Sequence, residues 1–329
     1  MDTGKMREGF SMLEKLLSAW RARRVLIVGC GDALTPWIHA LLTQLGARPA
    51  CIKPGYTAES LCQAMRSGRI SALIVPAAHA LSSGSLETQL RAVSTLLDEA
   101  REAGIPLTLF CSDVSVYRAC EHVWYAREED PIGGRTHEGL IQSMLQLYAD
   151  GMSRGLMGDA VTTLIVRHMP CLGSLHPSTR QYTQWCRSLM DDEPLYVEHP
   201  ARQGIFLHPL DAACGVLMLG ARYFCEEDMR ENVFNLGAGP QNLCANRSAA
   251  LRFQRQNGSA RPLVESEPPL PPQSPLLDGS RAKHLCGARC IIPGDAALCQ
   301  LLGHLRAVQS GEEQTYIDAQ TRTYLERIR

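Results

Sequence analysis

Lysine is almost missing from this chain. Of 33 basic residues only Lys5, Lys15, Lys53 and Lys283 are lysine, and the other 29 are arginine. No lysine stands four residues after a tyrosine, so no helix can present a Tyr-x-x-x-Lys pair, whose i and i+4 side chains would share one face. An excess of either charge is lacking too. A net charge of -1 over 329 residues gives no reason to expect nucleic acid or an anionic membrane as partner. No apolar run reaches the about 18 residues that a membrane span needs. Residues 1–22 carry charges beside Met12, Leu13, Leu16, Leu17 and Trp20, the spacing of an amphipathic lead-in helix, not of a signal peptide. No H-E-x-x-H helix or Walker loop occurs, which removes the common metalloprotease and nucleotide-hydrolysis signatures.

The thirteen cysteines are odd in number and follow no framework spacing, which predicts reduced thiols and a cytoplasmic setting. His284, Cys286, Cys290, Cys299 and His304 bring metal-ligating types close in sequence, but H-x-C-x-x-x-C is not a common zinc spacing, and no metal is expected.

A chain of this length can bury one large α/β unit or a main domain with a smaller lobe. Arg24-Val25-Leu26-Ile27-Val28 reads as a buried strand. Gly29-Cys30-Gly31-Asp32-Ala33-Leu34-Thr35 follows, and a helix runs from Pro36 to Leu45. Strand, glycine turn and helix form the setting in which helix amides cradle a pyrophosphate. Strands ending at Ile52, Val75, Phe110 and Val166 are spaced by helices, including one from Ser85 to Ala103 and one from His137 to Arg154. The order predicts a doubly wound parallel sheet with a smaller C-terminal α/β lobe. Its expected divisions are a Rossmann-like domain over 23–167, mainly lobe segments with some elements returning to that domain over 168–309, and a polar helical tail over 310–329. Five prolines between Glu265 and Pro275 predict an extended connector.

The run Cys111-Ser112-Asp113-Val114-Ser115-Val116-Tyr117, then Glu128-Glu129-Asp130-Pro131-Ile132-Gly133-Gly134 and the helix from His137, resembles the active-site segment of the extended short-chain dehydrogenase/reductase family. The likeness is closest to nucleotide-sugar 4,6-dehydratases such as CDP-glucose 4,6-dehydratase. It is carried further by Trp37, by Ala77-Ala78-His79, by His168 to Gly173, by Pro200-Ala201-Arg202 with His208-Pro209-Leu210-Asp211, by Val233 to Gly237, and by Leu276 to Ala282. It spans residues 23–309. It implies NAD or NADP held at Gly29, Gly31, Asp32, Lys53 and Ala77, a nucleotide-sugar met by Arg202 and His208, and a dimer through the helices from Ser85 to Ala103 and from His137 to Arg154, with the same or a related chain.

The same register exposes what is gone. His137 stands where the family has its tyrosine, and Ile141 and Val114 stand where it has lysines. Asp32 and Thr35 replace the second and third glycines of the loop, and Lys53 replaces the acidic residue that holds a ribose. Ser112 and Asp113 survive, either to meet a sugar hydroxyl or to cap a turn. The expectation is a pseudoenzyme that binds a nucleotide, a nucleotide-sugar or a protein, with any bound cofactor unknown. The alternative is an active dehydratase, epimerase or reductase using Asp113 and His137.

Overall fold

The structure, a computed structural model, describes residues 11–329 apart from 30–31, 53–57, 77–84, 119–123, 135, 157–161, 175–176, 226–228, 230 and 269–274. The expected positions Gly31, Lys53 and Ala77 lie outside the described residues. The lead-in helix α1 (Met12–Trp20) is opened by a capping box, in which Glu14 N–H reaches Ser11 Oγ and Ser11 N–H reaches the Glu14 carboxylate. Then follow β1 (Arg24–Val28), α2 (Thr35–Gln44), β2 (Arg48–Ile52), α3 (Ala58–Ser67), β3 (Ala72–Val75), α4 (Leu86–Glu102) and β4 (Thr108–Asp113). The short β5 (Tyr125–Ala126) precedes α5 (His137–Ser153) and β6 (Thr163–His168).

The rest of the chain alternates between lobe and sheet. α6 (Pro177–Met190), β7 (Leu195–Glu198) and β8 (Gln203–Ile205) are followed by α7 (Pro209–Cys225) and β9 (Val233–Leu236). β10 (Leu243–Ala245), α8 (Asn246–Gln256), β11 (Leu263–Ser266), β12 (Leu276–Leu277), α9 (Ser280–Cys286), α10 (Gly294–Ser310) and α11 (Glu313–Arg327) complete it.

Six strands form one parallel sheet in the order β2-β1-β3-β4-β6-β9. Parallel strands buried on both faces read as unbroken apolar runs, and alternate side chains fall on opposite faces. Val25 and Ile27 join the core beneath α1, α2 and α7, whereas Leu26 and Val28 join the core beneath α3, α4 and α5. The β1, β3, β4, β6 sequence thus predicts its own sandwiching. In the lobe, β8 pairs antiparallel with β10, and β7 pairs parallel with β11. The first two residues of the expected proline-rich connector, Glu265 and Ser266, belong to that second ladder.

The tail is a docked element. α11 lies against α2 and α10, and its Ile317, Tyr324 and Leu325 are buried. Among the described residues no helix is long and apolar enough to cross a membrane, and no disulfide is formed.

Candidate functional site

In a doubly wound sheet ligands bind outside the carboxyl ends of the strands, so the ends of β1, β4, β6 and β9 define the place to look. Register brings three of these ends side by side: Asp113 is opposite His168, and His168 is opposite Leu236.

At the end of β1, Gly29 has φ 131°, a conformation open to glycine. Beyond it the Asp32 carboxylate turns onto the first turn of α2. Its Oδ1 accepts the N–H of Leu34 at 2.7 Å and of Thr35 at 2.8 Å, while Oδ2 accepts the Thr35 hydroxyl at 2.6 Å. These helix-start amides are the ones that bind an anion in dinucleotide folds. Here the protein supplies the anion itself. A pyrophosphate would have to displace a carboxylate held by three hydrogen bonds and would meet its negative charge. The residues present therefore do not fit an NAD or NADP pyrophosphate in the manner the resemblance implied.

At the end of β4 the two surviving polar residues are engaged locally. Ser112 is 2% exposed and its hydroxyl lies 3.5 Å from Gln142 Oε1 on α5. Asp113 caps the 3-10 turn Val114–Val116 by accepting Ser115 N–H at 2.7 Å. The cap satisfies an amide that would otherwise be orphaned. Val114 is fully buried in one core cluster and Ile141 is 3% exposed in the other. Both positions where the family carries lysine are thus parts of the apolar core. His137 is the first residue of α5 and is exposed, and the helix is capped by Thr136, whose hydroxyl accepts Gly139 N–H at 3.0 Å. Gly139 sits so close to the 3-10 turn that a Cβ would lie 2.3 Å from Ser115 O, which ties the start of α5 to the end of β4. The arrangement brings Ser112, Asp113 and α5 together, and among the described residues no ion pair places a cation on His137 to hold a proton-transfer group in its charged form.

Sequence reasoning passed over the buried cation nearest this site. Arg167 on β6 is 3% exposed; its Nε donates to Gln146 Oε1 at 3.0 Å, and one terminal nitrogen donates to the Tyr117 hydroxyl and to Glu128 O. Tyr117 OH also lies 3.0 Å from Asn235 Oδ1, and Asn235 N–H donates to the Glu128 carboxylate at 2.9 Å. Burial, partly offset by Arg167, raises the Tyr117 hydroxyl pKa. The network fastens β4, β6, β9 and α5 together. A lone Arg in an otherwise apolar strand was the available signal.

On the substrate side, Arg202 is partly buried beside β8. His208 is 2% exposed: its Nδ1 accepts Leu210 N–H at 3.0 Å, and its ring packs edge-on to Trp37 with centroids 5.0 Å apart. Burial, with His304 nearby, lowers the His208 pKa to about 3, so its ring is neutral. Asp211, one turn on, receives Ile291 N–H, Ile292 N–H and the Tyr324 hydroxyl, at 3.0, 3.0 and 2.9 Å. Burial raises its pKa to about 6 against the pull of those three donors. Among the described residues no group of three His, Cys, Asp or Glu side chains is placed to hold a metal ion.

No family model and no curated protein matches this chain in sequence. Solved structures do match in shape. An epimerase from Methanothermobacter thermautotrophicus superposes with TM-score 0.75 at 16% identity, over 92% of this chain and 98% of that one. The dTDP-glucose 4,6-dehydratase DesIV of Streptomyces venezuelae, solved with NAD and TYD bound, gives TM-score 0.69 at 16% identity, over 88% and 99%. The UDP-N-acetylglucosamine 4-epimerase of Bacillus cereus gives TM-score 0.71 at 18% identity, over 87% and 97%. At such identities the likeness speaks to architecture, and the chain has the Rossmann-like α/β fold that these epimerases and this dehydratase share.

Proposed function

We propose that this chain is a non-catalytic relative in shape of the nucleotide-sugar epimerases and dehydratases, which performs no hydride transfer and uses the crevice over the ends of β4 and β6 to bind a nucleotide or nucleotide-sugar. The observation that carries the reading is the Asp32 carboxylate seated on the α2 amides, because it takes the place where a dinucleotide would be held. Support comes from Val114 and Ile141, whose burial leaves neither lysine position able to serve chemistry. Arg202 is the residue suited to the ligand's phosphates, since a guanidinium fork matches phosphate oxygens in a way a point charge does not.

Pairing of two copies, or of this chain with a related one, belongs to the same reading. Leu140 and Leu147 stand one heptad apart on α5 and are 46% and 57% exposed, beside α4. Exposed leucines at that spacing form a stripe suited to another apolar helix.

The test is calorimetric titration and thermal denaturation of the purified protein with NAD, NADP, CDP-glucose, dTDP-glucose and UDP-glucose. A ligand that binds only the folded state raises stability by about 2.7 kcal/mol at a hundredfold excess over its dissociation constant. The expected result is silence toward NAD and NADP and a response to at least one sugar nucleotide, lost in Arg202→Ala. A clear NAD or NADP response in the wild type overturns the non-catalytic reading.

A further inference from the structure

A cavity lies at the β9 edge of the sheet. It has a volume of about 390 Å3 and opens between the end of β9, the turn before α9 and the segment 288–290. That volume falls within the range of small-molecule sites, about 300 to 1,000 Å3. None of Asp32, Ser112, Asp113, His137 or Arg202 lines it.

Backbone geometry makes the opening. A Cβ on Gly237 would lie 2.2 Å from Leu277 O, and one on Gly279 would lie 2.9 Å from Gly237 N. Two chain segments therefore cross without side chains between them, and the lining beyond is left uncluttered. The floor is apolar, with Leu207, Leu236, Leu277 and Ala212.

The rim is cationic. Lys283 and Arg289 both line the opening and both are exposed, and among the described residues neither forms an ion pair. Two carboxylates share the lining, and each is held by partners of its own. Asp278 accepts from Ser280 and lies 3.6 Å from Arg127, while Asp211 receives two amides and a hydroxyl. Lys283 is one of four lysines in the chain. An apolar floor beneath two exposed cations, with the two carboxylates of the lining held by other groups, selects a compact apolar body that ends in an anionic group.

We infer that this cavity is a binding site for a small organic anion, a phosphate ester or carboxylate with an apolar body, separate from the crevice over β4 and β6. The body fills the floor formed by Leu207, Leu236 and Leu277, and the anionic end meets Lys283 and Arg289.

The experiment is calorimetric titration of the full chain with phenyl phosphate, inorganic phosphate and phenol, which separate the two halves of the recognition. Phenyl phosphate is expected to bind about tenfold or more tightly than either fragment. Lys283→Glu and Arg289→Glu are expected each to weaken it by about tenfold or more, and raised salt to weaken it in the wild type. Both residues are exposed, so the variants keep the fold, which their melting temperatures verify. Ala238→Phe, which fills the cavity without changing charge, is a second arm and is expected to block binding. Absence of phenyl phosphate binding overturns the inference. So does binding that survives both charge reversals, or phenol binding as tightly as its phosphate. The sugar-nucleotide titration reports on a different set of residues, so either site can fail alone.

Discussion

Asp32 and Thr35 close a small ring at the start of α2: one carboxylate oxygen accepts the Thr35 amide at 2.8 Å and the other accepts its hydroxyl at 2.6 Å. The carboxylate thereby stabilises the helix whose amides it takes away from a ligand. Replacing it by alanine is expected to cost about 1 kcal/mol, the usual worth of a helix-start cap, read as a lower urea midpoint at unchanged slope. The Asp32→Gly variant should in addition gain measurable affinity for inorganic pyrophosphate. If it gains none, the carboxylate is a cap and not what excludes the anion.

Restoring the missing lysine should fail structurally before it fails chemically. Ile141 is packed in the core cluster of α3, α4 and α5, so Ile141→Lys places an unpaired cation there and is expected to cost about 3 kcal/mol or more. Urea unfolding decides the point. A loss under about 1 kcal/mol would mean that residue 141 can reach the crevice, and would reopen the catalytic alternative.

Arg167 ties three neighbours together from inside the sheet. Arg167→Met removes the donor to Gln146, Tyr117 and Glu128 O together and leaves buried acceptors unsatisfied. A loss of about 3 kcal/mol or more is expected by equilibrium denaturation. Arg167→Lys should recover only part of it, because an ammonium cannot span the same fork.

Two buried groups give opposite pH slopes. Asp211 has a folded pKa raised from 3.8 to about 6, so the folded state holds its proton longer, and this group's contribution is full below about pH 4 and lost as pH rises through 6. His208 has a folded pKa lowered from 6.5 to about 3, so its contribution is full above about pH 6.5 and lost as pH falls toward 3. Each slope amounts to about 2 to 3 kcal/mol or more across its window. Stability between pH 4 and 6 should therefore change little in the wild type on their account. Asp211→Asn should fall with decreasing pH there and His208→Gln should rise, which urea midpoints at pH 4.5 and 6.5 would reveal. Identical pH profiles for wild type and Asp211→Asn would show that the carboxyl titrates normally.

The exposed stripe on α5 predicts an assembly. Leu140→Asp with Leu147→Asp should shift the protein to a monomer in light scattering without changing its melting temperature at low concentration. A wild type that is already monomeric at high concentration would rule out self-association through this face.

Much of this protein was written in its sequence. The apolar runs of β1, β3, β4 and β6 set the parallel sheet, because a strand buried on both faces needs no polar alternation. The shortage of lysine excluded a Tyr-x-x-x-Lys pair outright, since a missing residue type needs no fold to be missing. The tail was a polar helix in sequence, yet Ile317, Tyr324, Leu325 and Ile328 recur at helical spacing and only the fold shows their target, with Tyr324 reaching Asp211 across 113 positions. The direction taken by the Asp32 carboxylate, the burial of Val114, Ile141 and His208, and the meeting of Lys283 with Arg289 over an apolar floor were decided by tertiary structure alone. A side chain's partners come from segments distant in sequence, and periodicity specifies which face is buried but not which neighbour waits there.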